Sequence, residues 1–167
     1  MFYNIIAKLD KKLNFQMVSG HCDIPCKIYD PIHAQIAALT VIRMVDLLEA
    51  LKAKPSLTLD EQAEFQRLVN QKEKHGLAVK EEVNIIWGDY IKSPQLEKFP
   101  ELHELVHNIM LAGSQAKQNI DRAKAMHLLT LVNRFAEIFW ETKQVATFTA
   151  TCPYPPAEQL VYPNLAE

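Results

Sequence analysis

The chain is poor in the residues and patterns that mark several special classes of protein. Its 167 residues include four glycines and three cysteines, and three cysteines are too few for a fold held together by disulfide bridges. No apolar run approaches the roughly 18–20 residues that a membrane-spanning helix needs, so we expect no membrane partner. The formal charge of −2 lacks the basic excess typical of nucleic-acid binding, so we expect no nucleic-acid partner either.

What the chain has instead is long stretches rich in alanine, leucine, glutamate, lysine and glutamine, which favour an all-α fold. Asp30 and Pro31 form a helix start, an N-cap residue followed by the residue preferred at the first helical position. They predict a first helix over about 31–53. A second apolar face on this helix, besides the one expected to face the core, predicts burial from two sides, including subunit contacts. The first face carries Ala34, Ala38, Val41, Val45 and Leu48, and the second carries Ile32, Ile36 and Leu39.

Three further helices are predicted downstream. Thr58 opens a capping box, and the helix that follows is predicted to extend to Tyr90, with Gly76 as a weak point where a bend is expected. A third helix begins at Pro100, and a fourth spans about 120–143. Four long helices joined by short connections predict an antiparallel up-down four-helix bundle.

The two ends of the chain differ from this central part. Residues 1–20 carry apolar residues at helical spacing among three lysines. They admit two interpretations: a first amphipathic helix packed on the domain, or a removable leader that ends in a small, flexible Val-Ser-Gly suited to a protease. They lack the continuous apolar stretch of a secretory signal, so a cytoplasmic location is expected. Residues 144–167 contain four prolines and are predicted to be an extended tail, in which Cys152 has no evident partner.

Residues 21–31 read HCDIPCKIYDP and concentrate metal-binding side chains. His21, Cys22 and Cys26 place one imidazole and two thiols within six residues. A Cys-x-x-x-Cys pair is compatible with two ordinary thiols or with half of a tetrahedral zinc site, which would need two further ligands. No second cysteine–histidine pair has zinc-finger spacing, so the sequence does not specifically indicate zinc.

The segment HCDIPCKIYDP resembles the nickel-binding hook of the nickel-containing superoxide dismutases. Three later segments are also similar to that family and occur in the same order: residues 87–90 (WGDY), 97–103 (EKFPELH) and 138–143 (IFWETK). The resemblance implies a nickel hook followed by a four-helix bundle over residues 21–143, assembled as a homohexamer. It also implies an enzyme that converts superoxide to dioxygen and hydrogen peroxide while nickel alternates between Ni(II) and Ni(III).

The ligand chemistry of this hook can be stated from its residues. Thiolates and a deprotonated backbone amide are strong anionic donors that stabilise Ni(III), and square-planar nitrogen and sulfur coordination suits Ni(II). The α-amine of His21 and the amide nitrogen of Cys22 can close a chelate ring, the Cys22 thiolate closes a second, and Cys26 supplies the fourth ligand. An acylated nitrogen is a poor donor, so a maturation protease must first remove residues 1–20. The resemblance further implies that the His21 imidazole binds axially in the oxidised state.

Three polar residues are candidates for roles beside the metal. Asp23 and Tyr29 lie nearest to it in sequence, and the resemblance assigns Tyr29, with Tyr90 as its partner, a role in positioning superoxide or water and in delivering protons. Two positions depart from the family pattern: Ala37 stands where a glutamate bonds the ligand imidazole, and His75 where an arginine joins that network. Since such partners orient a metal ligand, a metal-binding helical bundle without turnover is the alternative to an active enzyme, and a zinc module is a third hypothesis.

Overall fold

The computed structural model describes residues 27–165, which form four long helices, two short helical segments and one β-hairpin. The first long helix, α1, spans Ile32–Lys52. The Asp30 carboxylate caps it by accepting a hydrogen bond from the Ile32 amide at 2.8 Å, which confirms the predicted start. The first apolar face of α1 is fully buried, whereas Ile36 on the second face is 39% exposed.

The second long helix, α2, spans Leu59–Ile85 and begins with the predicted capping box. The Thr58 hydroxyl accepts a hydrogen bond from the Glu61 amide, and the Glu61 carboxylate accepts one from the Thr58 amide. The helix is unbroken at Gly76. A Cβ atom at this position would collide with the Lys117 side chain of a neighbouring helix, so the glycine serves a close helix–helix approach.

The prediction that this helix continues as an α-helix to Tyr90 is wrong. Residues Ile86–Tyr90 form a π-helical turn, which closes with a hydrogen bond from the Ile91 amide to the Ile86 carbonyl at 3.1 Å. A π-turn holds one more residue than an α-turn and is frequent at functional sites. The extra residue changes the direction in which Tyr90 projects from the helix axis.

Three helices follow this turn. The short helix α3 spans Ser93–Lys98 and was not predicted. The long helix α4 spans Leu102–Gln118, so it starts two residues after Pro100. The long helix α5 spans Arg122–Thr142, close to the prediction, and the Asp121 carboxylate accepts hydrogen bonds from two amides in its first turn.

The four long helices enclose one main hydrophobic core. Helix α1 packs against α2 and α5, and α4 packs against the same two helices, so each long helix has two long neighbours. No helix within residues 27–165 is both long and apolar enough to span a membrane. The largest fully buried side chains of this core include Ile42, Leu102, Ile109, Leu128, Phe135 and Phe139.

The C-terminal segment is not the extended tail that the sequence predicted, and the fold is therefore mostly helical rather than all-α. Strand β1, Thr147–Thr151, pairs antiparallel with strand β2, Gln159–Pro163, with Thr149 opposite Val161. The prolines are compatible with pairing because three of the four lie in the loop between the strands, and the fourth ends β2.

Buried side chains and polar contacts attach the hairpin to the helices. Leu160 and Val161 of β2 are buried. The Gln35 side-chain amide of α1 donates to the Val161 carbonyl and to the Asn133 side-chain oxygen, both at 2.9 Å. The Asn133 amide of α5 donates in turn to the Gln159 carbonyl at 2.9 Å. Gln35 is itself only 1% exposed, so the hairpin satisfies a buried polar group of the helical domain.

Cys152 also differs from its prediction. It is 1% exposed and belongs to the main core, and its thiol donates to the Tyr154 carbonyl at 3.2 Å. The residue is therefore a packed thiol with a hydrogen-bond partner, and not one without a partner in an extended tail.

Candidate metal centre and its phenol pair

The predicted metal ligands His21, Cys22 and Cys26 lie outside the described residues, as does Asp23. Within residues 27–165 there is no group of three or more His, Cys, Asp or Glu side chains that could hold a metal ion. The fit of a metal therefore depends on the donor set of residues 21–26. Two thiols, an imidazole and the nearby backbone nitrogens form a nitrogen–sulfur set that fits nickel.

The described chain begins directly after Cys26. Lys27 has φ of 59°, in the left-handed region that a lysine rarely adopts, and its side chain is exposed. Ile28 is 78% exposed. Tyr29 then turns inward and is half-buried, and its ring lies 5.7 Å from the ring of Tyr90, at an interplanar angle of 43°. The structure thus brings together the two predicted phenols that it describes.

Tyr90 is held on several sides. Its ring centroid lies 5.1 Å from that of Phe139, and the Lys143 ammonium lies 4.3 Å from the same centroid, within the range of a cation–π interaction. The Tyr90 hydroxyl oxygen is 2.6 Å from the Thr142 hydroxyl oxygen. These contacts hold the Tyr90 ring against the end of α5, where Thr142 lies 52 residues later in the sequence.

Further contacts join the π-turn, α3, the start of α4 and the end of α5 around Tyr90. The Trp87 indole donates a hydrogen bond to His103 Nδ1 at 3.1 Å, which links the π-turn to the start of α4. Lys98 and Glu141 form an ion pair at 3.1 Å, which links α3 to the end of α5. The three segments whose residues suggested a family resemblance are therefore neighbours in space, with Tyr29 against them.

Sequence reasoning missed some of the residues around Tyr90. Phe139, Thr142 and Lys143 appeared only as letters of a similar segment, although their types carried a signal: an aromatic ring, a hydroxyl and a cation at the end of one helix.

The two positions that depart from the family pattern, Ala37 and His75, do not bring a similar set of contacts together. Ala37 is buried in the core, and His75 Nδ1 lies 2.8 Å from the Gln71 carbonyl of its own helix.

Charged side chains of both signs lie next to the phenol pair. Lys27 and Lys143 are both exposed, and each lies on a segment next to the phenol pair. Asp30 and Asp89 adjoin the two phenols in sequence, while the Lys143 ammonium, 4.3 Å from the Tyr90 ring centroid, is a positive charge in contact with the pair. An open surface cavity of about 450 Å³ lies elsewhere and is lined by Arg43, Asp46 and residues 152–157, none of which belongs to these segments.

The chain is similar to known proteins over most of its length. The family model described as nickel-containing superoxide dismutase matches residues 16–143. Superoxide dismutase [Ni] of Streptomyces coelicolor is 38% identical over 127 residues, which cover 76% of this chain and 91% of that protein. The corresponding protein of Streptomyces seoulensis is 36% identical over the same lengths. The hairpin lies beyond the family match.

Solved structures are similar in fold as well. A native nickel superoxide dismutase structure at 1.30 Å gives a TM-score of 0.66 at 35% identity and covers 74% of this chain and 99% of that chain. A nickel-containing superoxide dismutase with nickel ligation corresponding to the oxidised state gives a TM-score of 0.64 at 36% identity, with the same coverage.

Proposed function

The chain belongs to the nickel-containing superoxide dismutase family, and on that premise we propose that His21, Cys22 and Cys26 hold its nickel ion. The protein is an enzyme that converts two superoxide anions and two protons to dioxygen and hydrogen peroxide. A nickel ion held by these residues would supply the one-electron redox chemistry that this reaction requires. The chain's own residues bind the ion, admit the substrate and provide protons.

The nickel ligands require a free amine at residue 21. In this proposal a maturation protease removes residues 1–20 as a propeptide, and residues 21–143 form the hook and the antiparallel up-down helical bundle. The short connections from α1 to α2 and from α4 to α5 support that order, and the longer link from α2 to α4 contains the π-turn and α3. A homohexamer in the cytoplasm is part of the same proposal. The exposed Ile28 before α1 and the partly exposed Ile36 on α1 support the subunit contacts of such an assembly.

The contact between Tyr29 and Tyr90 is the observation that carries the proposed site. Tyr29 stands three residues after Cys26, and its ring packs on Tyr90 at 5.7 Å, so the phenol pair adjoins the hook along the chain. We assign Tyr29 the positioning of superoxide or water through its hydroxyl and Tyr90 the support of that phenol. Asp23, between the two cysteines, is the third polar group of the proposed site.

Substitution of the cysteines tests the ligand set. The protein with His21 at its N-terminus is loaded with nickel, and its metal content and rate of superoxide removal are measured. We expect one nickel per chain and activity in the unsubstituted protein. Cys22→Ser and Cys26→Ser should lose both, because a hydroxyl does not supply thiolate donation at neutral pH.

Cys152→Ser is the matched control, because Cys152 is a thiol in the hairpin, far along the chain from the hook, and a serine hydroxyl can still donate to the Tyr154 carbonyl. This variant should keep its nickel and its activity. Normal turnover in Cys22→Ser, or one zinc per chain without nickel in the unsubstituted protein, would contradict the proposed centre.

A further inference from the structure

Two hydroxyl groups and one carbonyl form a short chain of hydrogen bonds behind Tyr90. The Tyr90 hydroxyl lies 2.6 Å from the Thr142 hydroxyl, and the Thr142 hydroxyl lies 2.6 Å from the Phe139 carbonyl oxygen. Each hydroxyl has one hydrogen to donate, and a carbonyl only accepts. If Thr142 donates to Phe139, the remaining bond is made by the Tyr90 proton.

The end of α5 explains why Thr142 donates to that carbonyl. In a continued α-helix the Lys143 amide would bond the Phe139 carbonyl. The Lys143 amide bonds the Trp140 carbonyl instead, at 3.0 Å, as the last turn tightens. The Phe139 carbonyl is thereby left without its usual backbone donor, and the Thr142 hydroxyl takes that place.

We propose that Thr142 is a positioning residue that directs the Tyr90 phenol proton away from the metal centre, so that Tyr90 acts there only as a hydrogen-bond acceptor. This inference rests on the proposed function, in which the two phenols adjoin the nickel hook. The chain Tyr90–Thr142–Phe139 ends at a carbonyl that carries no proton, so it cannot relay protons inward. The protons for hydrogen peroxide therefore enter by another route.

A second consequence concerns the substrate. Superoxide is an anion and accepts hydrogen bonds, and so does the Tyr90 oxygen once its proton is committed to Thr142. The two acceptors do not bond each other, so a donor must stand between them, either water or another phenol. The ring of Tyr90 is braced by Phe139 at 5.1 Å and by the Lys143 ammonium at 4.3 Å, which keeps its oxygen facing Thr142.

The direction of the Tyr90 hydrogen bond is measured without nickel. The tyrosine Fermi doublet in the Raman spectrum changes its intensity ratio according to whether a phenol donates or accepts. The difference between the metal-free full chain and its Tyr90→Phe variant isolates Tyr90 from the other tyrosines. We expect the signature of a strong donor. The signature of an acceptor would mean that Thr142 donates to Tyr90, and would overturn the inference.

Variants at Thr142 test the cause. Thr142→Val removes the hydroxyl at nearly constant shape and should abolish the donor signature, whereas Thr142→Ser keeps the hydroxyl and should retain it. Thr130→Val is the matched control, because Thr130 makes the same type of bond to the carbonyl of Met126 on the same helix, in an exposed position. An equal spectral change in Thr130→Val, or none in Thr142→Val, contradicts the assignment. Should Thr142→Val not fold, the retained signature in Thr142→Ser decides.

Turnover of the nickel-loaded protein beginning at His21 separates this inference from the proposed function. Thr142→Val should lower the rate of superoxide removal about threefold to tenfold, the size of one hydrogen bond, and Thr142→Ser should restore it. If the unsubstituted loaded protein has no activity, the proposed function fails, while the Raman result still decides the direction of the bond. Full activity in Thr142→Val overturns the positioning role alone.

Discussion

Lys72 shows how a single buried cation can serve packing rather than chemistry. Its side chain is almost fully buried on α2, and its ammonium donates to the Ala116 carbonyl at 3.1 Å and to the Lys117 carbonyl. These are among the last carbonyls of α4, which have no partner within their own helix. Burial lowers the pKa of Lys72 because the charge loses water; Glu73 opposes this shift, and Lys117 adds to it.

Replacing Lys72 by methionine should destabilise the fold by about 1–3 kcal/mol, because the buried Ala116 carbonyl and the partly buried Lys117 carbonyl lose their donor. The substitution should also alter the pH dependence. The lowered pKa means that the folded state binds fewer protons than the unfolded state between that pKa and the ordinary value of 10.5. The free energy of unfolding therefore rises with pH in this window, and Lys72→Met should lack that rise.

Urea unfolding at several alkaline pH values measures both effects. Lys74→Met, on the exposed face of the same helix, is the control and should leave stability and its pH dependence nearly unchanged. Equal stability of Lys72→Met and the unsubstituted protein would show that water replaces the ammonium without loss.

The individual residues of the site were only partly predictable. Tyr29 and Tyr90 were named because they stand in segments that resemble a known family, and the structure places their rings together. Thr142 and Lys143 touch Tyr90 from 52 and 53 positions away. Such contacts depend on how α5 ends beside the π-turn, and no local pattern reports that.

At the scale of elements, the starts of α1, α2 and α5 were predicted well because their signals are local. Side chains such as Asp30 and Thr58 bond amides two or three residues away, so a short window of sequence contains the whole interaction. The π-turn at Ile86–Tyr90 and the hairpin depend on tertiary contacts. The four prolines of residues 144–167 led to the prediction of an extended tail, although the alternation of threonine with an apolar residue in Thr147–Thr151 favoured a strand.

The hairpin is predicted to be an integral part of the fold. Leu160 is fully buried and belongs to the main core, whereas Phe148 on the opposite strand is 51% exposed. Leu160→Ala should therefore destabilise the protein by about 2–5 kcal/mol, the range for a large-to-small change in a core. Phe148→Ala, a larger truncation, should have a much smaller effect.

Thermal and urea unfolding of the two variants compare the strands directly. A similar, small loss in both would mean that the hairpin separates from the helices before the domain unfolds. A large loss confined to Leu160→Ala would establish one cooperative unit that includes this segment beyond the family match.

At the scale of the whole molecule, net charge and local charge act in opposite directions on an anionic substrate. The first 20 residues carry three lysines and one aspartate, so their removal changes the formal charge from −2 to −4. A field of this sign repels superoxide. Lys27 and Lys143 next to the phenol pair attract it, whereas Asp30 and Asp89 oppose them. At physiological ionic strength charges beyond about 8 Å are largely screened, so we predict that Lys143, which contacts the Tyr90 ring, outweighs the net charge.

The rate of superoxide removal should accordingly fall as ionic strength rises, because salt screens the local attraction. Lys143→Met should be slower than the unsubstituted protein at low salt and should depend less on salt. Lys52→Met is the control, because Lys52 is exposed at the far end of α1, about 30 Å from the hook end for a helix of this length, and it removes the same charge. Stopped-flow measurement of superoxide decay at several salt concentrations gives the slopes. A rate that rises with salt in the unsubstituted protein would show instead that the net negative charge governs the encounter.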